Sequence, residues 1–109
     1  MRLPLIALLA TSFAAPAFAQ SPVATVIQYH NAAQAEMSCT GKTYTSAQED
    51  QIAVMVLNAT NQAVLTGDEL AAIYASRPFM RGRISSLGCN DAGVVAARNF
   101  ARERSFPAL

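Results

Sequence analysis

The chain has 109 residues, of which 52% are hydrophobic and 14% are charged, and its formal net charge is +1. This length excludes two domains of ordinary size, so we expect a single folded domain. The near-neutral charge disfavours a nucleic-acid-binding protein, which typically carries a strongly basic face.

Residues 1–19 have the three parts of a secretory signal peptide. Arg2 supplies the positively charged n-region, Leu3–Ala15 is almost entirely apolar, and residues 17–19 form an A-x-A cleavage site. The alternative is an uncleaved membrane anchor, but an apolar stretch of about 17 residues that contains prolines is short for roughly 30 Å of hydrocarbon. We therefore predict a cleaved signal peptide at 1–19 and a single helical domain at 20–109 that has no transmembrane segment.

The predicted leader implies export, to the periplasm if the source is bacterial and otherwise by secretion. Cys39 and Cys89 are the only cysteines, and an oxidising compartment favours a disulfide between them. A bridge that closes a loop of about 50 residues stabilises a small domain by roughly 4 kcal/mol. The alternatives are two free thiols, a redox pair or half of a metal site. Because there is no C-x-x-C spacing and His30 is the only histidine, we predict a structural disulfide and no metal or cofactor.

Start and stop signals predict five short helices in this domain, at about residues 22–37, 46–62, 66–76, 78–87 and 91–104. Ser21 and Pro22 favour the start of the first helix. Its apolar stripe includes His30, which we interpret as a core histidine, with a catalytic role as the alternative. The other members of that stripe are Val23, Val26, Ile27, Ala33 and Met37.

The second predicted helix has the strongest start signal in the chain, because Ser46 with Glu49, or Thr45 with Gln48, matches a capping box. Residues 52–57 are then apolar on every side, a pattern that a buried strand also shows. The capping box and the length of the segment favour a helix, and we expect it to be the central, most buried element.

We expect the remaining helices to complete an all-α bundle of about five short helices with one disulfide. The side chains expected to point inward are Leu70, Ile73 and Tyr74 on the third helix, and Met80, Ile84 and Leu87 on the fourth.

Signatures of enzymes are largely missing from the sequence. A nucleophile needs a nearby base, yet the only histidine falls in a predicted core stripe. The adjacent acids Glu49/Asp50 and Asp68/Glu69 lie in first helical turns, where capping and the helix dipole account for them. We therefore expect a non-enzymatic protein without catalytic residues, and keep a hydrolase built on His30 as a remote alternative.

The charges are segregated along the chain. Residues 20–76 carry five acids and one lysine, whereas residues 77–109 carry six arginines and two acids. Guanidinium groups suit carboxylates and phosphates. Either the two parts pack together and neutralise each other, or the arginines form a basic face for an acidic partner protein or an anionic surface. The residues of this predicted face are Arg77, Arg81, Arg83, Arg98, Arg102 and Arg104.

A leader, an all-helical domain at 20–109 and one bridge between Cys39 and Cys89 are together similar to the small periplasmic acid-stress chaperones of the HdeA type. That resemblance implies a protein that exposes apolar surface on acidification. Small periplasmic immunity proteins, which plug a toxin's active site, share the same general build. We predict a non-enzymatic binding module or accessory subunit that acts through protein–protein contact, with an acid-stress chaperone as the alternative.

Overall fold

The computed structural model describes residues 21–109, and within them the chain forms five α-helices and no strand. These are α1 (Pro22–Thr40), α2 (Ser46–Ala59), α3 (Gly67–Ser76), α4 (Phe79–Leu87) and α5 (Ala92–Glu103). The all-α prediction is therefore confirmed. The predicted signal peptide at 1–19 lies outside the described residues. In the part of the chain that is described, no helix is long and apolar enough to cross a membrane.

Side-chain caps fix where the first three helices begin. Ser21 Oγ accepts a hydrogen bond from the backbone N–H of Ala24 at 3.1 Å and caps α1. Of the two registers that the sequence offers for α2, the structure uses Thr45, which forms a reciprocal capping box with Gln48. Thr66 and Glu69 form the second such box at α3. These reciprocal bonds satisfy backbone N–H groups that would otherwise lack partners in the first turn.

Two helix ends differ from the prediction because of left-handed residues. The first helix runs on to Thr40 rather than stopping near Met37, and Gly41, at φ +72°, then closes it by donating to the Met37 carbonyl. Conversely, α2 ends at Ala59 because Asn61 and Gln62 adopt positive φ angles that a helix cannot accommodate.

The central helix is α1, and the expectation that α2 would be the most buried element is wrong. All four other helices pack against α1, and α5 and α4 do so most extensively. Ala32 and Ala35 are fully buried on α1, and their small side chains let the neighbouring helices approach closely. The core consists of two clusters along α1: Tyr29, Ala32, Phe100 and Ala101 form one, and Ala35, Met80 and Val94 form the other.

The helices α2 and α3 are much less buried than their sequences suggest. Only Ile52 of α2 is buried, whereas Val54 and Leu57 are half exposed. On α3, Leu70 and Tyr74 are 45% and 65% exposed, so the inward orientation predicted for them is wrong. Each helix presents one side to α1 and lacks a helix on its outer side, which the hydrophobic pattern of the sequence cannot reveal.

Two further side chains lie outside their predicted positions. His30 is half-buried rather than in the core, and its Nε2 lies 3.3 Å from the Arg77 carbonyl oxygen. Leu87 is 59% exposed at the end of α4, although Met80 on the same helix is buried as expected. His30 lies on α1 itself, beside Arg77, and Leu87 is the last residue of α4, so helical spacing alone does not decide burial.

The predicted disulfide is present. Cys39 and Cys89 are joined by an S–S bond of 2.01 Å across a sequence separation of 50 residues. It connects the last turn of α1 to the corner between α4 and α5, and thereby holds both C-terminal helices on the central helix.

Candidate functional site

A cleft opens between α4 and α5. Its volume is about 650 Å³, and α1 forms its floor. Its lining includes Asn31 from α1, Phe79, Met80 and Arg83 from α4, Gly93 and Phe100 from α5, and Glu103 and Arg104 where α5 ends. A cavity of this size with a few polar groups is the usual form of a binding site.

The corner that sets the angle between the two walls is tightly constrained. Gly88, at φ +84°, ends α4, and its backbone N–H donates a hydrogen bond to the Ile84 carbonyl oxygen at 2.8 Å. The next residue, Cys89, is tied to α1 by the disulfide. Asp91 then caps α5 by accepting the backbone N–H groups of Gly93 and Val94 at 3.0 and 3.2 Å. The cleft is therefore a preformed feature of the fold.

Arg83 and Asp91 join the walls at the closed end of the cleft. The Arg83 guanidinium donates through Nε to Asp91 Oδ2 and through Nη2 to Oδ1 at 3.2 Å. This bidentate contact, together with the two backbone N–H groups, holds the pKa of Asp91 below its usual value despite partial burial, and the same contact raises the pKa of Arg83. Both side chains are thus charged at neutral pH.

Gly93 leaves room for the Arg83 guanidinium in this ion pair. A Cβ at position 93 would lie 2.8 Å from the Arg83 Nε atom and 3.0 Å from its Cζ, which is closer than nonbonded atoms approach. The absence of a side chain at the start of α5 therefore lets the guanidinium lie across the helix and reach Asp91.

The open end of the cleft is formed by aromatic rings and Arg104. The guanidinium carbon of Arg104 lies 3.7 Å from the centroid of the Phe100 ring, a cation–π contact. Phe100 packs edge-on to Tyr29 at a centroid distance of 5.0 Å, and Phe106 stacks on Tyr29 at 5.7 Å. The chain turns back to place Phe106 there through Ser105, whose φ is +58°.

Asn31 and Phe79 contribute contrasting groups. The Oδ1 atom of Asn31 is buried and accepts no hydrogen bond within the described residues, although buried polar atoms are nearly always hydrogen-bonded. Phe79 is 54% exposed at the rim. The cleft thus presents an exposed ring beside two guanidinium groups, and the unpaired Oδ1 atom of Asn31 is buried in its wall.

The six arginines of the predicted basic face are distributed over several surroundings. Only Arg83 and Arg104 line the cleft. Arg98 bonds Glu36 of α1 at 2.7 Å, and Arg102 bonds Asn99 at 2.8 Å. Arg77 lies 5.3 Å from the centroid of the Tyr74 ring, beside His30, and Arg81 is exposed on α4. Arg98 therefore neutralises an acid of α1 and Arg83 pairs with Asp91, whereas Arg81 and Arg102 stay at the surface. The basic face as a partner-binding surface remains a prediction.

Sequence reasoning missed several residues that form the cleft. Asn31, Phe79 and Phe100 belong to helical patterns that predict only burial or solvent exposure. Gly93 in the first turn of a predicted helix was the one available signal, because glycine disfavours helices and implies a close approach by another group.

The groups that meet in the cleft are binding groups. They comprise the guanidinium N–H donors of Arg83 and Arg104, the carboxylate of Glu103 and aromatic rings, while His30 lies on a different surface. In residues 21–109, no three His, Cys, Asp or Glu side chains come together as a metal site would require. Comparison of the chain with protein-family models, curated proteins and solved structures finds no match.

Proposed function

We propose that the protein is an exported, non-enzymatic binding module that recognises an acidic segment of a partner protein in the cleft between α4 and α5. The observation that supports this function is the pair of arginines, Arg83 and Arg104, at the two ends of a preformed cleft. Preformed binding surfaces lose little conformational entropy on association, and the disulfide keeps these walls in place.

Both arginines retain the capacity to bind a carboxylate. A guanidinium has five N–H donors, and Asp91 engages only the Nε and Nη2 atoms of Arg83. Arg104 is 41% exposed, and its plane is oriented by the Phe100 ring. The carboxylate of Glu103, which also lines the cleft, lies 3.7 Å from Arg104 Nη1, but its side chain is 72% exposed, and such a solvent-exposed pair contributes little.

Phe79 would add an apolar contact. Aromatic and arginine side chains dominate the binding energy of many protein interfaces, and Phe79 is exposed at the rim. The expected ligand is therefore a segment with a carboxylate near an apolar side chain.

Export is part of this proposal. The signal-peptide pattern at 1–19 supports it, and a disulfide without free cysteines in the described residues is consistent with an oxidising compartment such as the periplasm.

The test is to capture binding proteins from the exported fraction of the source cells, identify them, and measure the Kd of each purified candidate by calorimetry. We expect Arg104→Glu and Phe79→Ser each to raise Kd about tenfold or more. The matched control is Arg102→Glu, which reverses an arginine on α5 outside the cleft and should change Kd less than about threefold.

If Arg104→Glu and Arg102→Glu weaken partner binding equally, the binding site is a diffuse basic face that includes Arg81, and not the cleft. If neither charge reversal nor Phe79→Ser weakens any partner, both versions of the arginine-dependent interface are wrong.

A second candidate function, an acid-stress chaperone, is favoured by the way a carboxylate secures α5. Asp91 caps this helix and bonds Arg83 of α4, so protonation of Asp91 below its lowered pKa would loosen the helix while the disulfide still retains it. Opening there would expose the ring cluster of Tyr29, Phe100 and Phe106. The expected result is suppressed aggregation of an acid-sensitive client at about pH 3, together with new binding of an apolar dye. A protein that stays compact and leaves client aggregation unchanged there is no chaperone of this kind.

A further inference from the structure

The helix α2 has a surface that its own chain leaves uncovered. Residues 52–57 are apolar on every side, a pattern typical of a helix surrounded by protein. In the structure, however, Val54 is 54% and Leu57 is 50% exposed on the side that faces away from α1. Together with Asp50 they occupy positions i, i+4 and i+7, which form one stripe along the helix. We call Asp50, Val54 and Leu57 the outer stripe of α2.

Beside α2 lies an apolar groove along the central helix. Its floor is Val26, Ala33 and Met37 of α1, and its walls are α2 and α3. Two adjoining hollows of about 420 and 300 Å³ form it and share Val26, His30 and Arg77. The wall residues are Ile52, Ala53 and Val56 on one side and Leu65, Leu70, Ile73 and Tyr74 on the other.

The groove has the length of a short helix. From Val26 to Met37 its floor spans eleven residue steps, or about 16 Å at 1.5 Å per residue. This is about three helical turns, so the floor is long enough for the outer stripe, whose seven residue steps from Asp50 to Leu57 span about 10 Å. The floor belongs to the stripe whose sequence pattern predicts burial, yet these three residues are only partly buried.

We propose that the occupant of this groove is α2 of a second copy of the chain, which inserts its outer stripe. Because α2 is also one wall of the groove, the outer stripe of each copy would insert into the groove of the other copy. This reciprocal contact is that of a two-fold symmetric dimer. The two α2 helices then lie side by side and antiparallel, and both exposed apolar surfaces are buried by one contact.

The charges around the groove fit this antiparallel arrangement. Glu49, in the first turn of α2, borders the end of the groove near Met37, whereas Arg77 borders the part near Val26 and His30. An antiparallel α2 from the second copy carries its own first turn, with Asp50, toward Arg77 and away from Glu49. A parallel helix would instead bring acid next to acid, which is unfavourable.

The test measures the molar mass of the disulfide-bonded protein, produced from the full-length sequence, by light scattering and sedimentation. Protein concentrations run from about 1 to 100 µM. We expect a monomer–dimer equilibrium within this range. Leu57→Glu should weaken dimerisation at least about thirtyfold by placing a charge in the buried contact. The matched control is Val95→Glu on α5, which is 42% exposed and does not line the groove, and which should leave the dimer unchanged. Circular dichroism checks that each variant folds.

A charge exchange tests the orientation. Asp50→Arg and Arg77→Asp should each weaken the dimer, and the double variant should recover most of the loss. Failure to recover would overturn the antiparallel pairing. If the wild-type protein is monomeric at about 100 µM, a second copy is not the occupant of the groove. The same conclusion holds if the monomer binds a different protein through Leu57. The proposed function stands or falls separately, because its variants lie in the α4–α5 cleft.

Discussion

The two halves of this molecule are held in different ways, although both pack on α1. The half made by α4 and α5 contains the disulfide, the bidentate Arg83–Asp91 pair and the Arg98–Glu36 bond between helices. It also contributes Met80, Val94, Phe100 and Ala101 to the buried core. The half made by α2 and α3 contributes Ile52 alone, and it exposes Val54, Leu57, Leu70 and Tyr74.

This difference shows how a small domain distributes its stability and its surfaces. A chain of this length cannot surround every helix with apolar neighbours. Covalent and polar links reinforce the half that forms the cleft, which exposes Phe79, Leu87 and Val95, whereas the other half exposes more apolar side chains without such links. Large exposed apolar patches usually mark interaction sites, so each half presents a surface of its own kind.

Removing the disulfide should have the largest effect on stability, and it should reduce the difference between the two halves. Replacing Cys39 and Cys89 by alanine frees a loop of about 50 residues, so we expect a loss of roughly 4 kcal/mol in the free energy of unfolding. Urea titration measures it, and hydrogen exchange should show α4 and α5 losing protection before α2. A loss below about 1 kcal/mol would mean that packing alone holds the C-terminal helices on α1.

Truncating an apolar side chain in each half should sharpen the contrast. Phe100→Ala removes a buried ring that contacts Tyr29 and Phe106, and we expect it to destabilise the fold by about 3 kcal/mol or more. Val64→Ala, at a position that is 94% exposed before α3, should change stability by less than about 0.5 kcal/mol. Similar losses for the two variants, measured by thermal and urea unfolding, would contradict the assignment of the core.

A smaller effect should appear as a pH dependence that arises at the corner between α4 and α5. The lowered pKa of Asp91 means that the unfolded chain takes up a proton at a higher pH than the folded protein does. The carboxylate therefore stabilises the fold fully above about pH 4, and this contribution is lost as the pH falls through the folded-state pKa. Asp91→Asn should unfold more easily at pH 7 and lose less stability on acidification. Parallel pH profiles for the variant and the wild type would show that Asp91 is not the group responsible.

Two glycine substitutions should have the smallest effects, and they should differ in sign. Gly82 lies in α4 with open space around it, so Gly82→Ala should stabilise the protein by about 0.5–1 kcal/mol through helix propensity. Gly93→Ala should instead lower stability, because its Cβ displaces the Arg83 guanidinium from Asp91. Thermal melts of both variants give the comparison. A Gly93→Ala protein that is as stable as Gly82→Ala would show that Arg83 moves aside without cost.

Much of the fold followed from local chemistry. Capping residues such as Thr66, and the breaks at Gly41 and Gly88, act within a few residues of where they stand, so the helices could be placed closely from the sequence. The disulfide could be predicted because only Cys39 and Cys89 are available for pairing. The candidate site could be predicted only in part: Arg83 and Arg104 belong to the predicted basic face, but the cleft that separates them from the other arginines does not appear in any pattern.

What the sequence determined by itself is therefore the set of helices, their order and the sulfur atoms that join them, because these depend on contacts between near neighbours or on a unique pair. Which helix lies at the centre was decided by tertiary packing. The alanines of α1 admit four neighbours, whereas the bulkier α2 packs through one side. The same packing places His30 and Arg77 beside the groove between α2 and α3, and Asn31 in the wall of the cleft between α4 and α5. Burial is a property of the whole arrangement, and an apolar stripe specifies only that a surface should be covered, not what covers it.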